Sequence, residues 1–395
     1  MFRKQIAPIG QYAPTGIRFT IWTDTSNING ASGIISGCYF YKIGRKNDDY
    51  LGNPDGNNGL GVIDFYARGR EIIITNNQFI DCLNSGVRGK TNIDSVSIGQ
   101  NIFRNTPLAI NIVPNTFPTQ VGNIVITDNV IENSDQYSIA VVGNSTDTPA
   151  FVQAISICNN AISNTTNITP LTSNLAAIVI RYIKTASITG NVINGATNSS
   201  LCGISAKDIE DVVISSNNMY NVGKIGIFCE TLKQNAIISN NYIDTTGSWG
   251  IAINGPTTLR MVSVCDNTID NCNNYGVIQF TTIERLTYIG NTIRNVTGLS
   301  RAFYVPDVAT SVIVTGNTTN ATTPLYNLSR KDVTQELLNS WNPIVTFGTA
   351  IPTTGTWTLG SIIYDSTPTA AGNVGWVCVT AGTPGTWKTF GTIAA

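Results

Sequence analysis

One phrase recurs down this chain and limits what the chain can become: an apolar residue, two small or polar residues, Asn, any residue, then an apolar residue. It runs Ile74–Asn77–Phe79, Ile98–Asn101–Phe103, Ile126–Asn129–Ile131, Ile157–Asn160–Ile162 and Ile188–Asn191–Ile193. It continues as Ile214–Asn217–Met219, Ile238–Asn241–Ile243, Val264–Asn267–Ile269 and Tyr288–Asn291–Ile293, and fades at Val314–Asn317–Thr319. The asparagines are separated by 24, 28, 31, 31, 26, 24, 26, 24 and 26 residues. A degenerate first copy, Ile35–Cys38–Phe40, precedes a long loop at 44–59. Apolar and polar positions alternate, which is strand periodicity, and no i, i+3, i+4 pattern accompanies them. A period near 26 residues suits a coil of three short strands and three turns.

The expected fold is therefore all-β: a right-handed parallel β-helix of about ten coils. The repeated Asn is expected to take the left-handed conformation of a tight bend and to hydrogen-bond up a stack spaced at about 4.8 Å. Four residues on, a second polar column reads Asn105, Asn133, Asn164, Asn221, Asn271 and Asn295. A second strand starts about ten residues after each Asn, behind a small residue, as in Gly86-Val87, Gly226-Ile227, Gly250-Ile251 and Gly276-Val277. Wider gaps mark inserted loops at 165–175 and 195–201, in neighbouring coils, and such protrusions build binding faces on solenoids.

The ends differ. Residues 1–33 read as an N-terminal capping segment, 34–320 as the β-helix, and 321–345 as a linker with a short helix from Asp332 to Asn339. Residues 346–395 form a small C-terminal β module, rich in Gly and Thr, with Trp357, Trp376 and Trp387 as its expected core.

Composition narrows the chemistry. Only 12% of residues are charged, and the net charge is −1, so the electrostatic footprint of a nucleic-acid binder is missing. No apolar run has the length of a bilayer span, and the first residues lack the apolar core of a secretory signal. With no histidine in the chain, acid–base work falls to carboxylates, Lys, Arg or Tyr. The 8 cysteines show neither a disulfide framework nor a CxxC pair, and read as free, small hydrophobes. The stretch NPDGNN at 53–58 lacks the ligand spacing of a calcium loop and reads as a surface turn. No metal or cofactor is expected. The Asn-X-Thr triplets, Asn164-Thr165-Thr166 among them, fall out of the ladder itself.

The asparagine-ladder coils resemble the pectate-lyase-like β-helix superfamily. The stretch GWVCVTAGTPGTWKTFG resembles the tail that follows the β-helix in phage tailspike and tail-fibre proteins. Together the two likenesses cover nearly the whole chain. They imply a virion setting, a homotrimer with coils side by side, and an activity that degrades bacterial surface polysaccharide, either capsule or lipopolysaccharide. They also imply an N-terminal particle-binding domain; the sequence opens straight into its cap, so it reads as a fragment or as a short spike attached through another protein. No catalytic residue carries over by motif, because members of the family place their carboxylates differently.

Columns of the repeat supply candidates instead. Three residues after the ladder Asn stand Ile80, Arg104, Glu132, Ser163, Asn194, Tyr220, Asp244, Asp270 and Arg294. Asp244 and Asp270 are thus expected roughly 5 Å apart at the backbone, with Arg294 one coil on. Like charges that close favour a proton on one group, and an arginine keeps the other ionised, which divides acid from nucleophile or base. Eight residues after the Asn, the same coils offer Trp249 and Tyr275 as a surface for a sugar ring. The plainer reading is an exposed polar column with Asp–Arg relief.

In a second column, Arg181, Lys207 and Glu230 stack in consecutive coils with Asp208 beside them. That column suits an acidic sugar, with Glu230 as acid or base, or else forms a charge ladder on a solvated or intersubunit face. Arg104 with Glu132 fits a surface ion pair. Three functions compete: a glycoside hydrolase acting within a polymer, a polysaccharide lyase using Arg181 and Lys207, and a glycan-binding spike without catalysis.

Overall fold

The computed structural model of the chain describes residues 17–19, 31–43, 61–65, 69–83, 85–89, 94–113, 121–135, 137–143, 152–166, 175–255, 259–279, 282–304, 311–326, 333–337 and 343–395. It divides into two compact units, residues 1–335 and 336–395. Among the described residues every regular element is a strand.

The first unit is the expected parallel β-solenoid. One coil shows the plan. The strand Tyr242–Thr246 follows ladder Asn241, Trp249–Asn254 comes after a bend, and Leu259–Cys265 leads to the next ladder residue, Asn267. Each strand pairs in parallel with its counterparts in the coils before and after. Thus Ile227 pairs with Ile251, Ile251 with Val277, and Val277 with Phe303.

The ladder works through its amides. Asn217 is fully buried. Its backbone N–H and its side-chain Nδ2 both donate to Asn241 Oδ1 at 3.0 Å. Nδ2 also donates to the carbonyls of Ile188 and Ser215. The same pattern repeats from Asn77 to Asn317. Here the structure corrects the sequence reading. The left-handed residue is the one before the ladder Asn: Asn76, Gln100, Asp128, Asn159, Ser216, Asn240 and Asp266 have φ between 54° and 58°. Asparagine is needed for a different reason. One amide supplies both an acceptor and two donors inside a bend where unpaired backbone groups would be costly. The second column does adopt the left-handed conformation, at Asn105, Asn133, Asn164, Asn221, Asn271 and Asn295, and it forms an exposed ladder of its own.

The interior is filled by stacked apolar columns. Phe40, Phe79 and Phe103 stack at 4.9 and 4.5 Å between ring centroids, and Ile131, Ile193, Ile243, Ile269 and Ile293 lie further along, buried. Each such side chain contributes about 1.5–3 kcal/mol. The small residue before the second strand is a packing requirement. A Cβ on Gly226 would meet Ile243 Cγ2 at 2.7 Å and the Gly250 carbonyl at 2.6 Å.

Several sequence expectations shift. The strand Ile17–Phe19, inside the segment read as a cap, pairs with Ile63–Phe65, so stacking begins earlier. The stretch expected to be helical from Asp332 to Asn339 contains instead the strand Val333–Leu337, paired with Ser311–Thr315. A short isolated helix is marginal, whereas the end of the stack offers a complete row of backbone donors and acceptors. The loop at 44–59, the NPDGNN turn, and 167–174 of the expected 165–175 loop lie outside the described residues. The 195–201 segment forms a turn, with Ser200 N–H donating to Asn198 Oδ1 at 2.9 Å.

One buried ion pair escaped the sequence reading. Arg88 and Asp64 are 2% and 0% exposed, and the guanidinium Nε and Nη2 donate to the carboxylate at 3.0 and 3.2 Å. Adjacent rungs place them face to face, with Asp64 opposite Arg88 in register.

The second unit carries a four-stranded sheet. Val345–Gly348 pairs in parallel with Ile362–Asp365, which pairs antiparallel with Asn373–Thr380, itself antiparallel to Thr386–Thr392. One face buries Ile363, Cys378 and Trp387, with Trp357 and Trp376 packed against them. The three tryptophans therefore serve as core, as expected.

The buried ladder predicts a contrast in stability. Asn217→Ala leaves its partners unpaired inside the bend and is expected to destabilise by about 2–4 kcal/mol. Asn164→Gly keeps the left-handed backbone and loses one exposed hydrogen bond, for less than about 1 kcal/mol. Chemical denaturation of the two variants checks this.

Candidate functional site

The register brings the first candidate group together. Asp244 pairs with Asp270 in the next coil, and Asp270 with Arg294 in the one after. All three lie outside the apolar column, because Ile243, Ile269 and Ile293 take the alternate inward positions. The exposed ladder anchors the carboxylates: Asn271 Nδ2 donates to Asp244 Oδ1 at 2.8 Å, and Asn295 Nδ2 to Asp270 Oδ1 at 2.7 Å. The Thr245 hydroxyl donates to Asp244 Oδ1 at 3.1 Å. Arg294 Nη2 stands 3.6 Å from Asp270 Oδ2, with Asp270 16% and Arg294 49% exposed. One carboxylate thus has a cation beside it, and the other is held by an amide and a hydroxyl.

The aromatic pair at these carboxylates is Tyr220 and Tyr242, with ring centroids 5.5 Å apart and planes tilted by 48°. Burial pushes the Tyr242 phenol up, the charges of Asp244 and Asp270 push it the same way, and Arg294 opposes them. The expected aromatics, Trp249 and Tyr275, do stack in register, but on the next strand around the coil. Tyr275 is not solvent-facing: it is 8% exposed, receives a hydrogen bond from Arg301, and meets Tyr304 edge-on at 5.8 Å. The left-handed bend at Asn274 separates it from Asp270. Tyr242 was legible in the sequence. It stands one residue after a ladder Asn, on the same outward face as Asp244, and a column drawn at that position would have found it.

The second group also forms. Arg181 pairs with Lys207 and Lys207 with Glu230, and Lys207 Nζ lies 3.1 Å from Glu230 Oε2. The chain then turns a corner through Tyr182, Asp208 and Thr231, with φ near 55°, which puts Asp208 beside the pair. Burial raises the Asp208 pKa above the ordinary aspartate value, Lys207 and Lys233 oppose that rise, and Glu230 reinforces it. Arg181 Nε is buried without a hydrogen-bond partner among the described residues. Five charged side chains thus act on one corner, Lys233 being the one the sequence reading left out.

Arg104 and Glu132 form the expected surface pair, at 2.6 Å. The eight cysteines are free; Cys82, Cys202, Cys229, Cys272 and Cys378 are buried, and burial raises the Cys202 thiol to about 11. Among the described residues, no group of Cys, Asp or Glu side chains is arranged to hold a metal ion, and no helix is long and apolar enough to cross a membrane.

No known protein family matches the chain, and no curated protein does. Solved structures show a distant likeness. One is a complex of XylC with xylose: 14% identity and a TM-score of 0.38, over 59% of this chain and 40% of that one. Another is tailspike protein 3 of bacteriophage CBA120: 12% identity and a TM-score of 0.33, over 92% of this chain and 59% of that one. This chain therefore spans less than two thirds of either.

The Asp208 corner has a pH signature. With the folded pKa raised, the native state holds its proton where the unfolded state has lost it. The contribution of Asp208 to stability is present below the ordinary aspartate range, near pH 3.9, and is lost as pH rises through the folded pKa. Asp208→Asn is expected to be more stable than the parent at pH 7, with the difference shrinking towards pH 3. Denaturation across that range measures it.

Proposed function

We propose that this chain is a phage tailspike-type depolymerase that binds a bacterial surface polysaccharide, capsule or lipopolysaccharide, and hydrolyses it within the polymer with paired carboxylates. The observation that carries the reading is the in-register pair of Asp244 and Asp270. Adjacent rungs lie about 4.8 Å apart at the backbone, within reach of the roughly 5–5.5 Å between the two carboxyl groups of a retaining glycosidase. Asp270, beside Arg294, suits the nucleophile. Asp244, which Asn271 and Thr245 hold in place, is left as the proton donor in this reading. Tyr220 and Tyr242 offer ring faces to a bound pyranose. In this reading the chain works at the bacterial surface as part of a virion tail.

A second reading, a polysaccharide lyase, is favoured by the cationic corner. Arg181, Lys207 and Lys233 act on one corner, which fits the carboxylate of a uronate, with Lys207 as the candidate base.

One assay separates the readings. The purified chain is incubated with a panel of capsular polysaccharides and lipopolysaccharides, and reducing ends are followed together with the ultraviolet absorbance of unsaturated uronates. New reducing ends without absorbance are expected, with Asp244→Asn and Asp270→Asn each slowing the reaction by about a thousandfold and Glu230→Gln leaving it near the parent rate. Absorbance that disappears in Lys207→Met would replace the hydrolase by the lyase. Binding without either signal would leave a glycan-binding spike.

A further inference from the structure

The C-terminal sheet has a second face that the tryptophan core does not use. Phe347, Tyr364, Gly375 and Phe390 stand opposite one another across all four strands. Beside them runs a second row of Val345, Ile362, Val377 and Lys388. Strand alternation puts both rows on the face opposite Ile363, Trp376, Cys378 and Trp387. Phe347 and Val345 are 74% and 62% exposed, and Phe347 is the most exposed large apolar side chain among the described residues.

The rings make a continuous stripe. Phe347 and Tyr364 lie 5.9 Å apart between centroids, and Tyr364 and Phe390 lie 5.8 Å apart. The second contact depends on Gly375. Tyr364 and Phe390 stand two strands apart, about 9.6 Å at the backbone, and they meet because the residue between them has no side chain. A Cβ there would also meet the Ile363 carbonyl at 2.2 Å. The stripe is bordered by polar groups: Lys388 two residues from Phe390 on the same face, and Asn373 opposite Thr392 at the end of the sheet, all three exposed.

We propose that this aromatic stripe is a binding site for a neutral glycan, separate from the charged groups on the coils. Three features select that ligand. The face is small, roughly 14 Å by 13 Å from strand spacing and rise, on the order of 200 Å². A stable protein partner needs about 800 Å² per side. Lys388 is the only charged side chain in the two rows, and one exposed, screened ammonium is too little to select a polyanion. Ring faces flanked by hydroxyl, amide and ammonium groups match a pyranose, which presents C–H groups to a ring and hydroxyls at its edge. An exposed apolar patch rimmed by polar residues is a common mark of a binding surface.

The test uses the full chain carrying Asp244→Asn and Asp270→Asn, so that no probe is cut. Its migration is followed in native gels containing dextran, soluble galactomannan or soluble xylan. Retardation by at least one polymer is expected, weakened about tenfold by Phe347→Ala and kept by Phe347→Tyr, with thermal unfolding unchanged in both. Phe347 is so exposed that its loss leaves the fold intact. Phe390→Ala should weaken retardation as well. No retardation in any gel, or retardation unaffected by Phe347→Ala and Phe390→Ala together, overturns the proposal. So does a change of mass by light scattering in Phe347→Ala with retardation unaltered, which would make the face a contact between copies. None of these outcomes bears on cleavage at Asp244 and Asp270, which the reducing-end assay reads separately.

Discussion

Everything in the coiled unit depends on one interaction, the buried amide-to-amide hydrogen bond between ladder asparagines. Each Asn ties its own bend to the bend above and caps carbonyls of the strand before it. In the interior a hydrogen bond left unmade costs more than one made contributes, so a slipped coil would break several at once. The ladder therefore holds each coil one rung from the next and in register with it. The left-handed residue just before each Asn turns the chain, and the small residue before the second strand lets two sheets approach. Those three local demands recur with every coil, and insertions are absorbed between them, as at the wider spacings from Asn129 to Asn191.

Such a scaffold builds sites as columns. A side chain's neighbours are its counterparts about 5 Å above and below, far away in sequence and fixed in space. Asp244, Asp270 and Arg294 come together in this way, as do Arg181, Lys207 and Glu230. The exposed asparagine column also takes part in the first group. At Asn271 and Asn295 its amides turn from one another to the two carboxylates, so one ladder becomes the support of the proposed chemistry. The two charged groups differ in kind. The first pairs carboxylates with tyrosines, and the second gathers cations around a corner where burial favours a protonated Asp208.

The C-terminal module solves a different problem. At about sixty residues it has little interior, and three tryptophans with Ile363 and Cys378 fill it from one side. The opposite face keeps apolar side chains that add nothing to that core. Gly375 then lets rings from strands two apart close into a stripe. The separation of roles is physical: indoles supply bulk where the core is thin, and the smaller rings stay at the surface.

The periodic asparagines, with apolar residues alternating around them, determined the parallel β-helix, the register, and hence the in-register meeting of Asp244, Asp270 and Arg294. Those follow from spacing alone, because in a stacked coil equal sequence phase means adjacency. Tertiary structure decided what phase does not encode. Whether an outward column is open or covered depends on what bends over it, which is why Tyr275 proved buried against Arg301 and Tyr304 while Tyr242 took the place beside the carboxylates. The strand Val333–Leu337 replaced an expected helix because the end of the stack offered it hydrogen bonds that no local pattern announces. The Asp64–Arg88 pair, the Asp208 corner and the aromatic stripe likewise depend on burial and on closeness across strands. Those properties belong to the folded chain.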